Sequence, residues 1–480
     1  MTVNASTNQL TTKIIFGNNK NPQNEFFYRD MSKPVLELPK DVSDFLWKHK
    51  PKMMQYWKDR GDSLLPYFPS YTYSYGKSVY RNEVVGEGGY AKGVPGVYGD
   101  VALLDVASMH PNSTISECFF GPRYTEAYAN IVYGRVDIKH EAWDVIGELF
   151  DGKLLPYIEK VKNGEMSSKQ LANALKTAIN SVYGLTSARF PNPFKDPRNV
   201  DNIVAKRGAL FMMTLRDELE KKGFLAAHIK TDSIKIPDAT REIVDFVMDF
   251  GEKYGYEFEH EATYDRIALM NDAVYIARYA TAEKCMSLYS YVPDDNKKKG
   301  WKWTATGAQF AQPYLFKTLF SHENIEFEDL CETKAATSSL YLDLNESLPD
   351  VTCQEKELLK LQKKDPTSVH IPELIKEIEK GHEYKFVGKV GQFCPVVSGV
   401  GGGILVRENK GSYASVSGTK GYRFMETEKV KTLKLEESID ISYYRKFVDD
   451  AIDDISQYCN FDWFVSEVEY DKENNQIIPF

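Results

Sequence analysis

The run VALLDV at 101–106 constrains this chain more than any other segment. Successive residues of a strand point to opposite faces, so a continuous apolar run reads as a strand buried on both. Asp105 interrupts the run at its end, and a turn follows at once in DVASMHPNS. GEGGY at 86–90, with Pro95 and Gly96, makes a glycine-rich turn region that feeds the strand.

Helical periodicity appears next. Residues 141–184 read as two helices, EAWDVIGELFDGKLLPYIEKVK and SSKQLANALKTAINSVYG, joined at Asn163-Gly164. Ser167 or Ser168 can cap the second, and Gly184 can end it. A further helix is expected from about Ile203 to Lys222. FLAAHIKTDSIKI at 224–236 has the pattern of strand, tight turn, strand, with Asp232 in the turn.

A chain of 480 residues exceeds one simple core and predicts two to four subdomains. Hydrophobic content of 42%, with 30 Tyr and 26 Phe, supports packed cores rather than disorder. The apolar runs are too short for a membrane span, and MTVNASTNQL lacks the basic start and apolar stretch of a signal peptide. The six cysteines are scattered without a CxxC pair, which argues for free thiols in a reducing cytosol and against a zinc ribbon.

The net charge of −9 does not advertise a polyanionic partner, but such a footprint is local. Residues 380–424 carry seven basic and two acidic side chains, with GVGGG at 399–403. Residues 425–480 reverse the sign, with 14 acidic and 6 basic. One segment suits a nucleic acid and the other turns away from it.

Three patterns in order carry chemistry. Asp105 ends its apolar strand. Lys176, Asn180 and Tyr183, spaced i, i+4, i+7 in KTAINSVYG, share one helix face. Asp232 occupies the tip of KTDSIKI. Taken singly these residues have ordinary explanations: an Asp after a strand caps a turn, a helical Lys is solvated, a Tyr is core. Their joint occurrence suits nucleotidyl transfer. That reaction needs a nucleophilic 3′-hydroxyl and a neutralised triphosphate, and two Mg²⁺ ions bridged by two carboxylates provide for both. Mg²⁺ takes oxygen ligands and completes its shell with water and phosphate. A helical lysine supplies further positive charge to the phosphates.

These patterns resemble motifs A, B and C of the family B DNA polymerases, DxxSLYPS, KxxxNSxYG and YxDTDS. The second match is complete and the other two are partial. GEGGY resembles the YxGG element of that family, and TGAQFAQPYLFKTLF (306–320) with VGQFCPV (390–396) resembles its bacteriophage members. The resemblance implies an α+β, right-hand fold. Its palm, an antiparallel sheet with helices, would occupy 81–140 and 185–300, helical fingers 141–184, and a thumb and C-terminal region 301–480, after an irregular N-terminal segment 1–80.

It also implies site roles. Asp105 and Asp232, with the Val106 carbonyl, would bind two Mg²⁺ ions, or Mn²⁺ in their place. Backbone amides around Ser108, Met109 and His110 would hold the triphosphate of a dNTP, helped by Lys176 and Asn180, while Tyr183 would monitor the new base pair. Tyr275, Lys385, Lys389, Lys410 and Lys420 would contact primer–template DNA. The setting implied is the cytoplasm of a bacterial host cell.

The sequence departs from the family at three site positions. His110 stands where a tyrosine usually excludes ribose, Lys230 replaces the first Asp of DTD, and Ala273 in NDAVY replaces the lysine of a KxY element. No DxE of a 3′–5′ exonuclease is visible in the 104 residues before Asp105, so proofreading is expected to be absent or carried by a separate exonuclease or N-terminal polymerase chain. Two alternatives stay open: a ribonucleotide-tolerant or primer-making polymerase of the same fold, and a non-catalytic DNA-binding subunit.

Overall fold

The computed structural model describes residues 72–74, 77–80, 82–85, 89–116, 121–139, 141–148, 152–186, 188, 190, 194, 203–297, 302–344, 352–409 and 412–473. Most of the N-terminal segment, the start of GEGGY and Lys410 lie outside them, as does the expectation about an exonuclease. Two compact units form, Met1–Thr304 with Glu469–Phe480, and Ala305–Val468. Helices combine with antiparallel sheets in both, as an α+β chain should.

In the first unit the strands β1 (Thr72–Ser74), β2 (Lys77–Tyr80) and β3 (Glu83–Val85) make a small sheet. A second sheet has seven strands: β4 (Ala91–Gly93), β5 (Gly96–Val106), β6 (His228–Lys230), β7 (Ser233–Ile236), β8 (Phe258–Leu269), β9 (Tyr275–Tyr279) and β10 (Trp303–Thr306). Their order is β10-β9-β8-β5-β7-β6-β4, antiparallel from β4 to β9. VALLDV is the second half of β5 and lies at its centre, which is why both its faces are apolar. Ala102, Leu104 and Val106 join a core with Tyr128, Ile179, Phe211 and Val247. Val101 and Leu103 face the other way, against Ala262, Tyr264, Leu269 and Tyr275. Asp105 follows Leu103 on that second face.

The helices of the first core are α1 (Met109–Ser116), α2 (Gly121–Lys139), α3 (Trp143–Glu148), α4 (Leu155–Lys162), α5 (Ser168–Thr186), α6 (Ile203–Lys221) and α7 (Arg241–Tyr254). Ser167 caps α5 as expected. Its amide donates to Gln170 Oε1 at 2.8 Å and its Oγ accepts from the Gln170 amide at 3.1 Å, a reciprocal capping box.

Two expectations need correction. The helix read across 141–162 is broken between α3 and α4, where Gly152 adopts φ +72°, a left-handed conformation that stops a helix. Gly184 does not end α5, which continues to Thr186 because Val182 and Thr186 extend its buried face. Helix α2 packs along α5, and Tyr128 Oη donates to the Ile179 carbonyl at 3.4 Å.

The second unit is built on a five-stranded antiparallel sheet, order β14-β13-β11-β12-β15. Its strands are β11 (Glu332–Asp343), β12 (Tyr384–Val396), β13 (Ile404–Asn409), β14 (Ser412–Ser415) and β15 (Arg423–Glu426). Helix α8 (Ile441–Ser456) inserts Tyr443 and Tyr444 into a core with Leu405, Phe393 and Phe424. Cys331 and Cys394 are free thiols with sulfurs 3.7 Å apart. No described helix is long and apolar enough to cross a membrane.

Candidate active site

The site assembles where β5 leaves the sheet. Antiparallel register sets Asp105 beside Ser233 of β7 on one side and Glu259 of β8 on the other. The turn 231–232 between β6 and β7 is clipped to the same strand end, since the Val106 amide donates to the Asp232 carbonyl at 2.8 Å. Asp105 and Asp232 therefore meet although they are far apart in the chain.

The turn is held from beneath by the glycine-rich segment. Thr231, at φ +56°, donates its amide to the Tyr90 carbonyl at 2.8 Å. Gly89 lies against it at φ +145°, and a Cβ there would come 2.8 Å from Thr231 Cγ2. Only glycine combines that backbone with that approach.

Negative charge is concentrated here. Burial, then Asp232, Glu261 and Glu259, push the Asp105 carboxyl up to about 7, with Lys235 opposing. Burial also raises Asp232, against the pull of its own backbone hydrogen bond and of His110 and Lys176. Neither carboxylate forms an ion pair with a described residue. Two self-repelling carboxylates that no ion pair engages are a donor set suited to hard divalent cations such as Mg²⁺ or Mn²⁺. No described group of three or more acidic, His or Cys side chains could hold a metal alone. Two carboxylates fit Mg²⁺ nonetheless, because that ion keeps waters and completes its shell from substrate phosphates.

Beyond Asp105 the chain turns through Ala107 and Ser108 into α1. The Ala107 amide donates to the Glu257 carbonyl at 2.9 Å, and Asn112 Nδ2 donates to the Ala107 carbonyl at 2.7 Å. Ser108 is left-handed at φ +57°, and Arg135 Nη1 donates to its Oγ at 3.1 Å. The amides of Met109 and His110 open α1 and have no carbonyl within the helix to bond, the usual setting for a phosphate. Only the backbone of Met109 can serve in this way, for its side chain is buried against Gly208 of α6.

Helix α5 reaches the same place. Its apolar face, including Leu171, Leu175, Ile179 and Val182, is buried, while Lys176 and Asn180 are exposed and Tyr183 is half-buried. The Tyr183 ring stacks on His110, centroids 4.7 Å apart and planes 15° apart. Burial lowers the His110 pKa, with Asp232 pulling the other way, and its Nδ1 is buried without a hydrogen-bond partner among the described residues. The structure thus gathers Asp105, Asp232, Ser108, His110, Lys176 and Tyr183, with Asn180 on the same helix face as Lys176.

Tyr275 is covered. It is 8% exposed, under Lys235 Nζ at 4.6 Å from its ring centroid and edge-on to His228. Of the basic stretch, Lys385 Nζ is engaged by Glu426 Oε2 at 2.7 Å, while Lys389 and Lys420 are exposed. Sequence reasoning passed over Arg135, Lys235, Glu259 and Glu261. The two glutamates had a signal: in EFEHE, at 257–261, acids alternate at strand period with Phe258 and His260, which are buried. Arg135 and Lys235 had none, since nothing local marks a basic residue as buried.

No protein-family model matches the chain, and no curated protein matches it. Among solved structures it is similar to the family B DNA polymerase from the hyperthermophilic archaeon Pyrobaculum calidifontis, at 14% identity and a TM-score of 0.36. The match covers 77% of this chain and 46% of that one, so this chain spans less than half the length of the polymerase it resembles.

Proposed function

We propose that this chain is a template-directed DNA polymerase of the bacteriophage family B kind, adding dNTPs to a primer 3′-hydroxyl. The observation that carries the reading is the meeting of Asp105 and Asp232 at one strand end, beneath the Lys176 face of α5 and the start of α1. In this reading Asp105 and Asp232, with the Val106 carbonyl, would hold two Mg²⁺ ions, which would supply acidity to the attacking hydroxyl and charge neutralisation to the leaving pyrophosphate.

The chain's own groups do the rest. The first amides of α1 and the Lys176 ammonium receive the triphosphate, and Arg135 steadies the turn through Ser108. Tyr183 and His110 form a stacked wall on which the incoming sugar and base pair rest. Lys389 and Lys420 supply backbone contacts to primer–template DNA in the second unit. The reading places the protein in phage replication within a bacterial host cell.

Primer extension with Mg²⁺ tests it. Asp232→Asn should lower extension by at least ~10³, about 4 kcal/mol of transition-state stabilisation, with DNA binding retained. Near-normal extension by that variant refutes the assignment. The unpartnered Nδ1 of His110 favours one second reading, a ribonucleotide-tolerant polymerase, because a free imidazole nitrogen beside the sugar can bond a 2′-hydroxyl. Comparing dNTP with rNTP incorporation on one primed template separates the two.

A further inference from the structure

We propose that Lys235 is a positioning residue, a resident counter-charge beneath the carboxylate cluster that limits how tightly the site holds divalent cations. The proposal rests on the two-metal reading above.

A lysine is almost never fully buried unless paired with an acid. Lys235 is 3% exposed, and no described carboxylate lies within ion-pair distance of it. Its Nζ lies 3.0 Å from His228 Nδ1 and 4.6 Å from the centre of the Tyr275 ring. His228 Nε2 lies 3.0 Å from the Asp272 carbonyl, which can only accept. That fixes the proton on Nε2, leaves Nδ1 as an acceptor, and makes Lys235 the donor. The imidazole is neutral at physiological pH, because burial and the neighbouring Lys235 hold His228 down at about 4.

Such a burial costs several kcal/mol, and a methionine of similar length would avoid that cost. The surroundings supply the reason to keep a charge there. Lys235 pairs across the ladder with Leu103, two residues before Asp105 and on the same face. Charged and titratable groups face it from each neighbouring strand: Asp105 from β5, His228 and Lys230 from β6, Glu261 from β8, Tyr275 from β9. Burial and Lys230 lower the lysine's pKa to about 8, while Glu261 and Asp105 hold it up. The ammonium is thus a buried cation whose charge acts through space on Asp105 and Glu261, two of the four acids at the strand end.

A fixed positive charge at this depth does two things. It lets the carboxylates coexist when no metal is bound, and it repels incoming cations, so that ions settle fully only with the phosphates of a nucleotide.

The test uses the full chain with Lys235→Met and Lys235→Arg. Mn²⁺ binding is followed by electron paramagnetic resonance without nucleotide, and thermal melting is measured with and without Mn²⁺. The Met variant should bind Mn²⁺ about tenfold more tightly than the wild type. Added Mn²⁺ should also raise its melting temperature further than it raises that of the wild type. The Arg variant, which keeps the charge, should bind Mn²⁺ as the wild type does. Unchanged or weaker Mn²⁺ binding by the Met variant overturns the proposal. If the Met variant does not fold in chelator, refolding in Mn²⁺ must rescue it, and failure to rescue equally overturns the proposal.

The two readings separate cleanly. Tighter Mn²⁺ binding in a protein that never extends a primer leaves this inference standing and removes the polymerase. Normal extension with unaltered Mn²⁺ affinity does the reverse, and a wild type that binds no Mn²⁺ removes both.

Discussion

Asp105→Asn exchanges one carboxylate oxygen for an amide nitrogen and leaves shape nearly unchanged, so its effect on stability reads the electrostatics of the site alone. Burial, Asp232, Glu261 and Glu259 raise the Asp105 carboxyl from 3.8 to about 7 in the folded chain. At ~1.4 kcal/mol for each tenfold change in acid strength, ionising it within the fold costs at most ~4 kcal/mol. Solvent screening at this half-buried carboxyl reduces this to ~2 kcal/mol.

The sign follows from proton linkage. Between pH 3.8 and about 7 the folded protein holds this proton more tightly than the unfolded chain, so this group's contribution falls as pH rises through that window and is level above it. Asparagine has no proton to lose and avoids the penalty. The variant should therefore match the wild type near pH 4 and exceed it by ~2 kcal/mol at pH 8 in chelator, while its primer extension is lost. Guanidinium unfolding followed by circular dichroism, at several pH values with EDTA, measures the difference. A variant less stable than wild type at pH 8, or one offset equally at every pH, refutes the reasoning. Loss of function with gain of stability is the signature of a site strained for its task.

Other substitutions probe the remaining parts. Lys176→Ala should raise KM for dNTP and lower kcat together in steady-state extension, and a change confined to KM for primer–template would turn α5 toward the DNA instead. Gly89→Ala forces a methyl group against Thr231 and should cost ~2–3 kcal/mol in denaturant unfolding. It should also cut extension further than that loss of stability explains, because the turn carries Asp232. His110→Tyr should lower the ratio of rNTP to dNTP incorporation, measured on a single template. Changing Lys389 and Lys420 together to Gln should weaken DNA binding on all sequences alike and flatten log K against log salt by ~0.9 for each phosphate no longer neutralised. Lys385→Gln should add little, because Glu426 already neutralises it.

The sequence by itself determined whatever is written in neighbouring residues. The apolar run of β5, the strand–turn–strand around Asp232 and the shared face of Lys176, Asn180 and Tyr183 are periodicities of one segment, so they are legible without a fold. So was the Ser167 cap, whose partner Gln170 is three residues away. Local reading failed where a neighbour in space had the deciding vote. Gly184 looks like a helix stop, yet α5 runs past it because the core rewards burial of Val182 and Thr186. Lys235 looks like a solvated strand residue until β5, β6 and β9 close over it.

Only the tertiary structure decided that Asp105, Asp232, Glu259 and Glu261 crowd together, that His110 stacks on Tyr183, and that Tyr275 is covered while Lys389 is not. Backbone pairing between distant strands sets those distances. Proximity then fixes the charge each group can carry, since mutual repulsion and lost hydration act through space and leave no trace in the order of residues.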